Sequence, residues 1–376
     1  MSRGATGKWY DRLPWQRYQG APIGVDFAST HLNLLQLAET GGRENRPRLQ
    51  AAVSVPYAAT REALFEEPAQ LRKLVRSALA TGPFIGREIY ATLPSHALRI
   101  VPLTVQLGSG QSEAQAVVKA AQDQLGTGLQ DAVVDYYHVR SIEADSAERQ
   151  VLVAVAQKKN VVAYLDSLRS AGLTPLALDI GPAAIARLLG ALHREDFDQA
   201  IALINFGIDK SYLTVVWGRR LLLDREIDFC ENRLVARICE ALGLSAAMAQ
   251  GMLREHGVGG AERGPYMTGG TQPEVGQTLR EILHGEFAQL VEELSRTQVY
   301  VASRTRGSLV SQIYLNGSIA PYPNLAARIH ELVALPVDLL KPMEAFDIAM
   351  PQSVRSDADA SVALAAGLAL RGGPYA

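Results

Sequence analysis

Ile23-Gly24-Val25-Asp26-Phe27-Ala28-Ser29-Thr30 reads as a buried strand running into a small polar turn, and the apolar run Leu32, Leu34, Leu35, Leu37 continues into a second strand. The unit recurs as Ile204-Asn205-Phe206-Gly207-Ile208-Asp209-Lys210-Ser211, followed by Leu213, Val215 and Val216. Positions 26 and 205 lie 179 residues apart (205 − 26), roughly half of the 376-residue chain, so the sequence predicts two similar halves. A strand ending in such a turn lets backbone N–H groups approach a phosphate, and an acidic residue there can hold its Mg²⁺. Either copy alone is also an ordinary β-hairpin. A third element, Ser311-Gln312-Ile313-Tyr314-Leu315-Asn316-Gly317-Ser318, reads as a buried strand entering a Gly turn. A helix from Asn324 to Leu335 follows, with Leu325, Ile329, Leu332 and Val333 on one face.

Composition bounds the rest. A hydrophobic content of 48% fits a soluble globular protein, and a net charge of −2 gives no footprint for nucleic acid. Cys230 and Cys239 do not make a disulfide framework. No apolar run reaches the roughly 20 residues of a membrane span, since Leu173 to Leu192 is broken by Pro175, Asp179 and Pro182. Residues 1–20 are polar and aromatic, unlike a secretory signal, so a cytoplasmic chain is expected.

Along the chain, an arm over 1–20 carries Trp9, Tyr10, Trp15 and Tyr18. Strands are expected at 23–27, 32–38, 48–56 and Glu88 to Leu93, with a helix around 68–80. From about 99 the pattern changes to a small α+β insertion. Its parts are Ile100-Val101-Pro102-Leu103, a helix with Val117, Val118, Ala121 and Leu125, and strands Ala132–Val139 and Gln150–Ala156 around the turn Glu143 to Glu148. A helix over 159–170 ends at Gly172, a C′ cap. The second half holds a hairpin over 202–216 and 220–229, then helices at 231–242 and 245–255. A Gly-rich loop is read from Gly257 to Gly276, followed by one long helix bearing Leu279 through Leu294. The last elements are a strand at Val337–Leu340 and a small-residue helix from Ala358 to Leu370.

In that order the chain resembles the PilM family of type IV pilus assembly proteins and its MshI relatives. The resemblance rests on Ala171-Gly172-Leu173-Thr174-Pro175-Leu176-Ala177-Leu178-Asp179, Asp135-Tyr136-Tyr137, Arg225-Glu226-Ile227 and Ala365-Ala366-Gly367-Leu368-Ala369-Leu370-Arg371. It implies an actin-like, ribonuclease H-like duplicated α/β fold. The first lobe (1A) would take 21–98 and 158–198, the inserted domain (1C) 99–157, the second lobe (2A) 199–229 and 308–376, and subdomain 2B 230–307. It also implies a cytoplasmic scaffold that reaches the inner membrane by binding the N-terminal peptide of a PilN-like partner, alongside pilus motor or platform components. Val101, Leu103, Val133, Tyr137 and Val139 of the insertion are the candidates for that contact, on a sheet edge or in a groove, with core packing as their other reading. Deleting residues 100–156 is expected to abolish peptide binding and leave the two halves folded. Asp11-Arg12-Leu13-Pro14-Trp15-Gln16-Arg17 resembles the partner's own peptide, so the arm would compete for the site or drive self-association.

The resemblance further implies ATP and Mg²⁺ in the cleft between lobes. Asp26 would be the metal-side carboxylate, with Ser29, Thr30, Asn33, Asn205, Gly207, Ser211, Glu293, Arg296, Gly317 and Ser318 around the nucleotide. The family pattern is broken repeatedly. Asn33 replaces a Lys and Asn205 an Asp, Cys230-Glu231 stand for a Gly-Gly pair, and Gln250 and Leu253 replace a Glu and a Lys near the adenine. These losses point to a degenerate cleft without efficient hydrolysis. An active ATPase or sugar-kinase-like enzyme shares the fold but wants the missing Lys and Asp. An actin-like component of type II secretion or cell division would usually bring a membrane span or a C-terminal amphipathic peptide, neither of which is read here. No His or Cys spacing marks a resident metal site, and Gly257-Val258-Gly259-Gly260 lacks the Lys of a P-loop.

Overall fold

The computed structural model describes residues 20–39, 46–58, 60–94, 97–107, 110, 112–139, 148–195, 198–259, 272–305, 307–348 and 361–371. The arm segment Asp11–Arg17 and most of the turn from Glu143 to Glu148 therefore lie outside the described residues.

Two five-stranded sheets are built on one plan. In the first, β1 (Ile23–Phe27), β2 (His31–Leu37), β3 (Leu49–Pro56), β4 (Glu88–Thr92) and β8 (Thr174–Asp179) are ordered β3-β2-β1-β4-β8. The second takes β9 (Ala200–Phe206), β10 (Ser211–Trp217), β11 (Arg220–Ile227), β12 (Val310–Gly317) and β13 (Val337–Leu339) in the order β11-β10-β9-β12-β13. In each, the first three strands are antiparallel neighbours and the last two join in parallel. The register also repeats. Asp26 faces Asn33 across β1 and β2, and Asn205 faces Tyr212 across β9 and β10, each seven residues on (33 − 26; 212 − 205). The duplication legible in two short motifs thus extends to whole sheets.

Between β4 and β8 the chain forms a three-stranded sheet ordered β5-β7-β6, from β5 (Arg99–Gln106), β6 (Ala132–His138) and β7 (Glu148–Gln157). One face packs under α3 (Glu113–Leu125), which starts in a capping box where Ser112 and Gln115 satisfy each other's backbone N–H groups. The other face does not stand free. Val139 and Leu152 are buried in the main core, with Ile100 and Tyr137 packed against it. α4 (Lys158–Ser170) then leads back to the first sheet. It ends in a Schellman turn: Gly172 (φ +87°) donates to the Arg169 carbonyl at 2.9 Å and Leu173 to that of Leu168 at 3.1 Å, which seals both leucines in the first lobe.

Two helices join the halves. α5 (Gly181–Leu192) follows the last strand of the first sheet and covers β10 and β11 of the second. α11 (Ala363–Ala369) comes from the end of the second half and covers β1 and β2 of the first. Alternating Ala and Gly bring them unusually close. A Cβ on Gly367 would stand 2.0 Å from the Ala184 carbonyl oxygen, and one on Gly24 would stand 2.0 Å from that of Ala365.

Four expectations are corrected. The single long helix is two, α8 (Gln272–Ile282) and α9 (His284–Arg304), broken at Leu283. Residues 272–276, read as loop, are already helical because Pro273 sits in the first turn, where its missing N–H costs nothing. The helix expected from Asn324 to Leu335 is α10 (Leu325–Val333), bounded by left-handed Asn324 and Ala334. The last helix begins at Ala363; residues 358–360 of its expected span lie outside the described residues.

The helix crossing gives a test. Gly367→Ala should destabilise by several kcal/mol, because backbone must move to admit one methyl group. Gly251→Ala in α7 (Ala246–His256), where nothing lies within 4 Å, should instead stabilise by about 0.5–1 kcal/mol. Urea unfolding of both variants reads the contrast.

Candidate functional site

The first turn is closed by the chain itself. Ala28 donates to the His31 carbonyl at 3.0 Å, and Tyr57 spans the loop by bonding the carbonyls of Thr30 (N–H, 2.9 Å) and Ala28 (hydroxyl, 2.8 Å). Ser29 and Thr30 are exposed, with Thr30 Oγ1 2.8 Å from His31 Nδ1. Asp26 is buried, and Asn33 Nδ2 donates to its Oδ2 at 3.0 Å. Ser54 in turn donates to Asn33 Oδ1 at 2.7 Å. Asn33 is only 1% exposed, so it belongs to a buried polar row and does not face a phosphate as the sequence implied. Burial, partly offset by the Asn33 bond and the Arg61 charge, pushes the Asp26 carboxyl up from 3.8 to about 6.

The second turn is equally self-contained. Gly207 donates to Ser211 Oγ at 3.2 Å, and that hydroxyl donates to the Phe229 carbonyl at 2.5 Å, so fully buried Ser211 is a structural bridge and not a phosphate donor. The Gly207 and Ile208 carbonyls accept the first two N–H groups of α6 (Glu231–Leu242), from Glu231 at 3.2 Å and Asn232 at 2.9 Å. These are the groups a helix start offers to an anion, and here they are occupied. Asn205 is exposed and accepts from Asn316 Nδ2 at 3.0 Å. Gly317 (φ +97°) is required by the neighbouring strand, because a Cβ there would stand 2.0 Å from the Phe206 oxygen. Ser318 donates its N–H to that oxygen at 2.8 Å, but its buried hydroxyl finds no partner among the described residues.

Other expected residues fall elsewhere. Glu293 pairs with Arg225 at 2.8 Å and with Arg296 at 3.0 Å on α9. Arg225 and Glu226 point to opposite faces of β11, and Glu226 shares a row with Tyr212 and Asn205. Glu293 and Arg296 therefore lie across the sheet from Asn205, a correction to their expected place around a nucleotide. Leu253 is buried core. In the insertion, Val101 and Leu103 are sealed under α3, Val139 is buried in the main core and Tyr137 packs against it. Val133 alone of the five is substantially open, at 43% exposure.

Sequence reasoning missed a cluster of which it had quoted Asp179 and Arg371 separately. Asp179 accepts from Arg187 and, at 2.7 Å, from Arg371, while Arg187 Nε donates to the Gly367 carbonyl at 3.1 Å. Asp179 and Arg371 end two different motifs, and nothing in either reports that they meet. Asp224 was missed as well. It is held by Thr214 at 2.7 Å and pushed up to about 6 by burial.

Set against a magnesium-bound nucleotide, these groups are a poor match. Asp26 is spoken for by Asn33, Asn205 brings no charge, and the α6 start is occupied. Among the described residues no group of three His, Cys, Asp or Glu side chains could hold a metal ion. No described helix is long and apolar enough to cross a membrane.

Comparison with known proteins covers nearly the whole chain. The family described as "Type IV pilus assembly protein PilM" matches residues 24–373. A solved PilM-PilN type IV pilus biogenesis complex aligns over 94% of this chain and 98% of that one, at 21% identity and a TM-score of 0.70, which shows the shared actin-like fold. The ethanolamine utilization protein EutJ from Carboxydothermus hydrogenoformans aligns over 93% of this chain and 89% of its own, at 10% identity and a TM-score of 0.49. MreB 5 of Spiroplasma citri bound to AMPPNP aligns over 94% and 95%, at 12% identity and a TM-score of 0.46.

The buried Asp26 carboxyl predicts a pH effect. Its folded value lies above its unfolded one, so the folded state holds more proton between pH 3.8 and about 6, and stability falls as pH rises through that window. Above it the ionised group costs on the order of 2–3 kcal/mol. Asp26→Asn should therefore raise the melting temperature at pH 7.5 and leave it nearly unchanged at pH 4. An equal shift at both values would remove burial as the cause.

Proposed function

The chain belongs to the PilM family of type IV pilus assembly proteins, and from that membership we propose that it is a scaffold of pilus biogenesis which binds the N-terminal peptide of a PilN-like membrane partner. On this reading it is cytoplasmic, sits against the inner membrane through that partner, joins the motor or platform components, and carries a nucleotide cleft too altered for efficient hydrolysis.

One observation supports a place for the peptide. On β6 and the residue just past it, Val133, Asp135, Tyr137 and Val139 share the face turned toward the main body. Tyr137 and Val139 are packed there, whereas Val133 at the other end is open, so the insertion and the first lobe diverge along the strand. α4 touches both β6 and β8, and it adds the exposed Val162 (46%) while β8 adds the exposed Leu176 (49%). β6 and β8 are also terminal strands of their sheets. Open apolar side chains beside free strand edges suit an extended apolar peptide, which gains backbone hydrogen bonds from an edge and specificity from alternate side chains. Leu176 and Val162 were not among the candidates read from sequence, because a surface Leu in a strand looks like a core one.

The test uses a synthetic peptide of the partner's N-terminus and fluorescence anisotropy. Leu176→Asp and Val133→Asp should each weaken binding at least tenfold, with melting temperatures kept within a few degrees because both positions are exposed. Undiminished binding by both variants would place the peptide elsewhere. ATP turnover of the wild type, with or without Mg²⁺, should stay near background.

A further inference from the structure

In sheets with parallel strands, ligands collect outside the carboxyl ends of those strands. In the second lobe that place is the end of the parallel pair β9 and β12, at Phe206-Gly207 and Gly317-Ser318. The start of α6 is tied to it through the Glu231 N–H bond to Gly207. The Glu231 side chain does not turn out to solvent as a first-turn glutamate usually would. It is buried, and its Oε1 accepts from the Tyr322 hydroxyl at 2.8 Å. Tyr322 lies on the loop leaving Gly317, and Arg254 of α7 reaches the same hydroxyl. Burial first, then the Glu231 carboxylate, push that hydroxyl up to about 12 against the pull of Arg254. At the end of β12 the Ser318 hydroxyl is buried and has no hydrogen-bond partner among the described residues.

We infer that Glu231, held by Tyr322, is the residue that bars nucleotides from this cleft, by setting a carboxylate where the phosphate chain of a nucleotide would have to pass. This deepens, and rests on, the reading of the cleft as altered. The missing Lys and Asp of the turns lower attraction for a nucleotide. Glu231 adds repulsion, a second and independent route to discrimination against a polyanion. The barrier is one of charge: an uncharged nucleoside meets the same walls without the same opposition.

Glu231→Gln tests it, because the amide oxygen keeps an acceptor for Tyr322 and the fold is retained. Titration calorimetry and thermal shift with ATP, ADP and adenosine, with and without Mg²⁺, are measured on the wild type, on E231Q and on Tyr322→Phe. E231Q should bind ATP and ADP at least tenfold more tightly than the wild type, with adenosine unchanged and the gain shrinking as salt is raised. Tyr322→Phe keeps the carboxylate and should gain nothing for ATP. If E231Q is folded and gains no affinity for ATP, Glu231 is not the barrier while the altered-cleft reading stands. A gain equal for adenosine and ATP also overturns the charge mechanism. Micromolar binding of Mg-ATP by the wild type would instead defeat the altered-cleft reading itself.

Discussion

The structure depends on the close crossing of α5 and α11. Each helix grows out of one half and covers one face of the other half's sheet, so one face of each sheet is buried by the opposite half. The approach leaves no room for a side chain at Gly367, and it is pinned by Asp179, which takes both Arg187 and Arg371. A buried pair of this kind adds little net stability, because desolvation consumes most of the Coulomb gain. What it supplies is specificity. Arg187 is on α5 and Arg371 just beyond α11, so the carboxylate of β8 reads the position of both helices at once. A slip of either helix would strand a buried charge, at a cost of several kcal/mol.

From this crossing the two strand turns open on either side, and they have become chemically different. The lobe-one row Asp26, Asn33, Ser54 is buried and internally bonded. Its counterpart in lobe two, Asn205, Tyr212, Glu226, keeps its first and last members exposed, and Lys210 folds onto Glu226 at 3.0 Å. Equivalent backbone therefore carries two solutions to the same problem, how to satisfy the polar groups at a strand end. In both, the partners come from the chain itself. This internal satisfaction separates a fold able to hold a nucleotide from a site arranged to hold one.

What could be read in advance follows from the range of each interaction. Strand and turn patterns are local, so the repeated unit at 23–30 and 204–211 disclosed the duplication, and Gly172 disclosed the end of α4. The Asp179 cluster was illegible because its members lie 8 and 192 residues away along the chain (187 − 179; 371 − 179). Asn33 was misread for a related reason. The resemblance set it around the nucleotide, but its burial depends on the sheet that covers it. Glu293 and Arg296 keep helical spacing perfectly well, and only the strand pleat decides that they face away from Asn205. Leu176 is the converse, a residue that looks like core and is left open because β8 ends its sheet.

The insertion shows how this crossing reaches into the proposed binding surface. As sequence, residues 99–157 look separable, and their removal was expected to leave two intact halves. The packing argues otherwise. Val139 and Leu152 share one buried cluster with Leu35, Leu37, Ile185 and Leu189, and Tyr137 lies near enough to Arg187 and Asp179 to feel both charges. Deleting 100–156 would uncover an apolar face of α5 and leave the Asp179 cluster beside solvent, so lost peptide binding in such a variant would not locate a site. The same coupling ties the proposed binding surface to the helix crossing. One end of the insertion is fixed to the helix crossing, and at the other α4 contacts β6 while Val133 stays 43% exposed. On the proposed reading, a surface anchored to the body at one end by Tyr137 and Val139 leaves most of the ordering cost of binding to the peptide.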